Sequence, residues 1–431
     1  LATEEYVALN TGGLAASGDT TGATDSSNIK EALDSMGRVV LNYGTFYVDG
    51  LTIGSGQILD LGGSTMVLAN GSNNNVIETQ DFNLFTGTDT TAGASDFQIM
   101  NGIIDGNRAN NASGAGIAIY GRSYRLSNLI VKECAGRGIH SEWGTHSPFL
   151  APNGMEAFTS DIRIINCGQT HLYHKGPHDT QMVNTVVVGN KTTTGPAVHF
   201  PTDGYSNGSV IIGMHIYGGM FDVGLKNQSS GLEFLGCQVE GAQVVQVEIL
   251  ASMNKMTECK FFAGGVQASS VLGVRIGDAT HTNINNVRLS GKFEDLGGGM
   301  INLTNAQGGN VLDLQGQYSF TPPATLVVGG WGDHNTGSIW VYGPDGLLNA
   351  YSGTRIPWAG KMRADVSTSR VSYWDEATGA NRIDDLASLG WRVSKAVTQE
   401  ALEDYNPFIV VDSLEDIPPG PPVNTVVIVR S

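Results

Sequence analysis

The sequence predicts an all-β solenoid with a smaller segment at each end, and three observations carry that prediction. Seven stretches share one ending, a short apolar run closing on a small or turn-forming residue. They are GIIDG at 102–106, LIVKE at 129–133, TVVVG at 185–189, MHIYG at 214–218, CQVEG at 237–241, CKFFA at 259–263 and VRLSG at 287–291. From 185 onward their starts fall 29, 23, 22 and 28 residues apart, a period at which one coil cannot bury its apolar face alone and must stack on its neighbours. Glycine numbers 58 of 431 residues, nearly twice the usual share of about 7%. Only 15% of residues are charged against 40% hydrophobic, the balance of a core fed by short strands rather than by charged amphipathic helices.

Residues 1–50 form an N-terminal cap. GDTTGATDSSNIKEALDS (18–35) gives a polar, Asp-rich loop and then a short helix, with Ser27 or Asn28 as N-cap and Ile29, Ala32 and Leu33 on its apolar side. The strand RVVLNYGTFYVDG follows. A solenoid needs such a cap because its first coil would otherwise present a bare edge. The body spans 51–320 and begins with the weak coils of LTIGSGQILDLGGSTMVLANG (51–71). One long loop, EWGTHSPFLAPNGMEAFTSD (142–161), interrupts its rhythm; loops of that length in compact domains are usually functional or disordered, and Trp143, Phe149 and Phe158 argue against disorder. Beyond TPPAT (321–325) the repeat ends and five of the six tryptophans occur. Residues 321–431 are expected to form one or two small β-rich modules, with hairpins at GSIWVYGPDG and SRVSYWDEATGANR and two terminal strands with a short helix and a Pro-rich loop between them. Such modules would cap the solenoid, hold subunits together or bind carbohydrate.

The net charge of −17 argues against nucleic acid and against anionic membranes as partners. No apolar run approaches the roughly 18 residues of a membrane span, and no basic-then-apolar signal opens the chain. The chain is expected to begin within a longer protein or after processing. Cys134, Cys167, Cys237 and Cys259 lack metal-binding spacing. Cys237 and Cys259 hold equivalent places in adjacent coils and are expected as free thiols stacked in the core.

GDTTGATDSSNIKEALD followed by RVVLNYGTFYV resembles the start of pectate-lyase-like right-handed parallel β-helices, and GIIDGN at 102–107 is similar to a strand-turn element of that superfamily. GIHSEWG (138–144) and GPHDTQ (176–181) resemble segments of bacteriophage tailspikes and capsular-polysaccharide depolymerases. The resemblance covers roughly residues 12–320. It implies a homotrimeric virion spike, attached to the phage tail through a region preceding this chain, that cleaves host surface polysaccharide. The polygalacturonase signatures are absent from the body, as is the three-Asp calcium arrangement of pectate lyases, so neither catalytic apparatus carries over.

The candidate chemistry comes from alignment of the coils. Counting eleven residues back from each shared ending gives His174, Asp203, Lys226, Glu248 and Ile276, with Tyr173, Lys175, Thr202 and Arg275 as neighbours if the register slips. In that register Asp203 and Glu248 stand two rungs apart, roughly 10 Å at the backbone, within reach of the roughly 6.5–9.5 Å carboxyl separation of an inverting glycosidase. Upstream, His140, Glu142, Trp143 and His146 are followed by His171, Tyr173, His174, Lys175, His178 and Asp179. Gly176 and Pro177 break the chain between His174 and His178, which removes a helical metal site. No metal and no cofactor is expected.

The first reading is therefore an endo-acting glycoside hydrolase of bacterial surface polysaccharide, with a general acid–base pair among Glu142, Asp179, Asp203 and Glu248. His140, Trp143, Tyr173, His174, His178, Tyr205, Lys226 and Arg275 would bind substrate, the aromatics as platforms for sugar faces. The second is a polysaccharide lyase, in which a His, Tyr or Lys takes the proton α to a uronate carboxylate neutralised by Lys226 or Arg275. The third is a spike that binds sugar without cleaving it. An esterase is a weaker rival, since no GxSxG elbow is present.

Overall fold

The short apolar runs pair in parallel with their successors, coil upon coil, in a computed structural model of the protein. It describes residues 13–82, 93–143, 156–189, 193–202, 206–218, 221–263, 270–307 and 309–319, and strand segments between 327 and 429. Among these residues the strands form a 16-stranded and a 12-stranded sheet, which run side by side along the stack. Arg125–Lys132 pairs with Gln98–Asp105 before it and Phe158–Ile165 after it, all in parallel register. In the 12-stranded sheet, Ile139–Glu142 pairs in parallel with Ile117–Arg122 and Leu172–His174. The fold is a parallel β-helix, as the repeat predicted.

The repeat also sets the register, with two corrections. Leu129 stands opposite Gly102, and Cys259 stands opposite Gly291. A coil between 129 and 185, whose run begins at Ile162, also belongs to the series, because Ile162 pairs with both Leu129 and Thr185. Its charged Arg163 and its Asn166 ending hide it from a search for apolar runs. The last shared ending is GKFED (291–295) rather than VRLSG, since Gly291 occupies the rung that Val287 was expected to hold.

Four successive long strands of the first sheet, 98–105, 125–132, 158–165 and 181–188, each bend at one residue in the left-handed region. Asn101, Asn128, Asp161 and Asn184 have φ of 63°, 52°, 54° and 54°, and Gly213 and Gly236 continue the corner at 66° and 61°. Asn and Asp tolerate that region and Gly enters it freely. Their side chains bond along the stack: Asn128 Nδ2 donates to Asn101 Oδ1 at 3.2 Å and Asn184 Nδ2 to Asp161 Oδ1 at 2.6 Å.

Inside the tube, Phe46, Phe97, Phe200, Phe221, Phe234, Phe261 and Phe293 are fully buried. Phe261 lies over Phe293 with ring centroids 4.8 Å apart. All four cysteines are free and buried, the pair Cys237 and Cys259 on successive rungs as expected. The cap helix spans Ala23–Met36 and buries Ile29 and Leu33. It starts before the expected Ser27 or Asn28, because the Asp19 carboxylate already accepts the Thr24 N–H at 3.0 Å and satisfies its first turn. The buried Asp25 then ties the helix to the first coil, accepting the Tyr47 N–H at 3.1 Å.

Thr336–Tyr342 pairs in parallel with Val311–Gln317, so the stack runs past residue 320 and GSIWVYGPDG, expected as a hairpin, contributes a parallel rung; its GPDG turn lies outside the described residues. Arg370–Asp375 and Ala380–Asp385 do form the expected antiparallel hairpin, joined by Arg363–Asp365. The terminal strands Phe408–Val411 and Val426–Val429 pair in parallel. No helix among the described residues is long and apolar enough to cross a membrane.

Candidate active site

The outward positions of the 12-stranded sheet line up as one column: His140, Tyr173, His199, Lys226, Glu248, Arg275 and Asn302, each the parallel partner of the next. Strand alternation aims them. Each sits between residues turned to the core, as Leu172 and His174 flank Tyr173, Val198 and Phe200 flank His199, and Val247 and Ile249 flank Glu248. The strand carrying His140 lies tight against the core because of Gly138, where a Cβ would meet Ile164 Cγ2 at 2.3 Å and the His171 carbonyl at 2.6 Å.

Counting back from the coil endings located Lys226 and Glu248 correctly. Tyr173 and Arg275 hold the rungs assigned to His174 and Ile276, one residue away in each case. The rung assigned to Asp203 is held by His199, because the chain between Phe200 and the next shared ending is longer than in the other coils. Asp203 and Tyr205 lie outside the described residues.

His174 turns inward and is 1% exposed, so it does not meet a substrate. Its ring packs edge-on against Phe200 at 5.8 Å. Trp143 is also buried, 5.8 Å from Tyr120, and it serves the core rather than a sugar face. His178 and Asp179 are exposed at the corner between the two sheets, paired at 2.6 Å.

Two ion clusters occupy the column. Glu142 lies beside His140 at 2.8 Å, Lys175 at 3.5 Å and Arg137 at 3.9 Å. His140 Nε2 also contacts Arg137 Nη1, and one ring nitrogen can accept from the guanidinium or donate to the carboxylate, but not both. Burial lowers the His140 pKa, and the charges of Arg137 and Lys175 lower it further against the hydrogen bond to Glu142. Along the column, Glu248 is held by Arg275 at 2.7 Å and Lys226 at 3.8 Å.

Between these clusters stand Tyr173 and His199, edge to face at 5.4 Å. The Arg137 guanidinium sits over the Tyr173 ring, 3.6 Å from its centroid. Burial lowers the His199 pKa, and the nearby Lys226 and Arg137 act in the same direction against a hydrogen bond to Gln228. His199 is thereby held neutral, with a lone pair available as a base. Neither His199 nor Arg137 was singled out from the sequence. For His199 a signal existed, the triplet VHF, whose apolar first residue followed by an outward polar one matches IHS, LYH, LKN, VEI and VRI on the other rungs. Arg137 reaches the site from a turn, where no periodicity marks it.

Among the described residues no group of His, Cys, Asp and Glu is arranged to hold a metal ion. No family model and no curated protein matches the chain. Among solved structures it is similar to the A-module of the mannuronan C-5 epimerase AlgE6 from Azotobacter vinelandii, at 15% identity over 74% of this chain and 96% of that one, with a TM-score of 0.48. It is similar to the Dettilon tailspike protein gp208 at 13% identity over 83% and 74% of the two chains, with a TM-score of 0.48. A third similarity is to the tailspike gp49 of Acinetobacter baumannii bacteriophage Fri1, a capsular polysaccharide depolymerase, at 8% identity over 84% and 67%, with a TM-score of 0.48.

Proposed function

We propose that this chain is a phage-borne depolymerase that cleaves an acidic bacterial surface polysaccharide by β-elimination. The observation that carries the reaction type is the adjacent Tyr173 and His199, with the Arg137 guanidinium over the tyrosine ring. In this reading His199 takes the proton α to a uronate carboxylate. The electron pair moves to form a carbon–carbon double bond as the glycosidic C–O bond breaks, and the Tyr173 hydroxyl protonates the departing oxygen. A guanidinium over the ring face stabilises the phenolate left behind. Lys226, one rung from His199, and Arg137 neutralise the carboxylate that acidifies the α carbon.

A hydrolase pair of Glu142 and Glu248 is less well supported. Glu142 extends from the strand of His140, and Glu248 lies four rungs further on. At about 4.8 Å per rung this separates them by roughly 19 Å, about twice what an inverting pair spans. Each is also already engaged by cationic partners. The phage setting rests on the resemblance of residues 138–144 and 176–181 to tailspike segments.

The test is digestion of uronate-containing capsular polysaccharides, followed by ultraviolet absorbance and mass spectrometry of the products. Unsaturated uronate ends from the native protein, absent with Tyr173→Phe and His199→Gln, are the expected result. Reducing ends without the chromophore would replace this reading with hydrolysis, and capture of polysaccharide without any release would leave a binding spike.

A further inference from the structure

We infer that Gln228, His281 and Asp278 form a hydrogen-bonded relay that selects which ring nitrogen of His199 carries the proton, and that protonation of His281 reverses the selection. The inference rests on the elimination reading only for its consequence in activity. The relay itself stands on geometry.

Asp278 Oδ1 accepts the backbone N–H of His281 at 2.7 Å and of Thr280 at 2.8 Å, along with the Thr280 hydroxyl at 2.8 Å. Burial raises the Asp278 pKa, but these bonds and the one from His281 outweigh it and hold the carboxyl well below the usual carboxylate range. An ionised carboxylate only accepts. The His281 Nδ1, 2.8 Å from the same oxygen, therefore carries a hydrogen. On the far side of that ring, His281 Nε2 lies 3.1 Å from the Gln228 amide nitrogen. An amide nitrogen only donates, so His281 Nε2 must be a lone pair and the ring neutral.

The other end of the same amide completes the argument. Gln228 Oε1 is 2.7 Å from His199 Nε2, and an amide oxygen only accepts. His199 Nε2 therefore carries the hydrogen, and Nδ1 is left as the basic atom. The groups facing this pair are Asp278 and Thr280 beside His281, and Lys226, Arg137 and Tyr173 beside His199.

When His281 gains a proton, its Nε2–H meets the Gln228 NH₂, donor against donor. A flip of the amide resolves the clash by turning Oε1 to His281 and the NH₂ to His199. The His199 Nε2 must then accept, so its proton moves to Nδ1 and the basic atom is blocked. Gln228, His281 and Asp278 are positioning residues in this scheme. None of them touches the reacting atoms.

The experiment is ¹⁵N NMR of the histidine rings across a pH titration, in the native chain and in Gln228→Glu, with circular dichroism to confirm folding. In the native chain His199 should show the Nε2–H form at mildly alkaline pH and change to Nδ1–H in step with the titration of His281. In Gln228→Glu the carboxylate accepts from both rings, so His199 should stay Nε2–H throughout and cleavage should extend to lower pH. An Nδ1–H signal for His199 at alkaline pH, no change as His281 titrates, or a change that persists in Gln228→Glu would each overturn the relay. These signals need no substrate. A correct tautomer pattern without unsaturated product would overturn only the elimination reading.

Discussion

His171 and His174 are buried in the tube, and burial pushes each pKa down to about 4 from an ordinary 6.5. Among the described residues no hydrogen-bond partner meets His171 Nδ1 or His174 Nε2. The folded state therefore refuses protons that the unfolded chain accepts. A histidine with a depressed folded pKa contributes stability that is fully present above about pH 6.5 and is lost as pH falls toward 4. At pH 5.5 the unfolded ring is about nine-tenths protonated and the folded ring nearly unprotonated, which gives a slope of about 1.2 kcal/mol per pH unit for each histidine. Integrated from pH 7 to pH 5, each one costs about 2 kcal/mol. The informative variant is His174→Leu, which keeps an apolar body beside Phe200 and deletes the proton-binding nitrogen. Near pH 7 its stability should lie within about 1 kcal/mol of the native chain, since an unsatisfied polar atom is exchanged for a packed methyl. By pH 5 it should have gained about 2 kcal/mol relative to the native chain. Equilibrium urea unfolding at a series of pH values reads the difference directly. Parallel curves for the two proteins would show that His174 does not resist protonation and would refute the account of this core.

Three further outcomes follow from particular contacts. Phe261→Ala removes a fully buried ring whose centroid lies 4.8 Å from that of Phe293, tilted by 36°, and should cost about 3–5 kcal/mol in urea unfolding. At the corner, Asn184→Ala places a Cβ-bearing residue without a bonding side chain at φ 54° and loses the bond to Asp161, a cost of about 1–3 kcal/mol. Asn184→Gly should recover the backbone share, and equal losses for the two variants would contradict the corner strain. Glu142→Gln removes the charge that favours the protonated form of His140 while leaving Arg137 and Lys175 in place. The His140 pKa measured by NMR should then fall further below its ordinary value, and a rise would mean that Glu142 does not face that ring.

The repeat was visible in the sequence because a parallel stack imposes the same demand on every coil. The run that faces the core must be apolar, and its corner must bend, so the pattern survives changes in loop length. The Ile162 coil escaped notice because outward positions carry no such demand, and Arg163 there breaks a pattern defined on both faces. GSIWVYGPDG was expected as a hairpin because its turn residues match that reading locally. The rung beneath, Val311–Gln317, offers an unpaired edge, and Thr336–Tyr342 pairs with it instead.

The site was less visible for a related physical reason. A column on the outer wall is set by strand register, whereas counting from the coil endings measures distance along the chain and includes every loop between. Parity within each strand carries no such error. In LYH the inward Leu172 already requires that Tyr173 face outward and His174 inward, and in VHF the inward Val198 and Phe200 require the same of His199. Reading the triplets instead of the intervals replaces Asp203 with His199 and exchanges a carboxylate pair for a tyrosine beside a neutral imidazole. The proposed chemistry moves from hydrolysis to elimination on that one-rung correction, so the identity of the residue between Tyr173 and Lys226 is what the digestion of a uronate polymer by His199→Gln most directly tests.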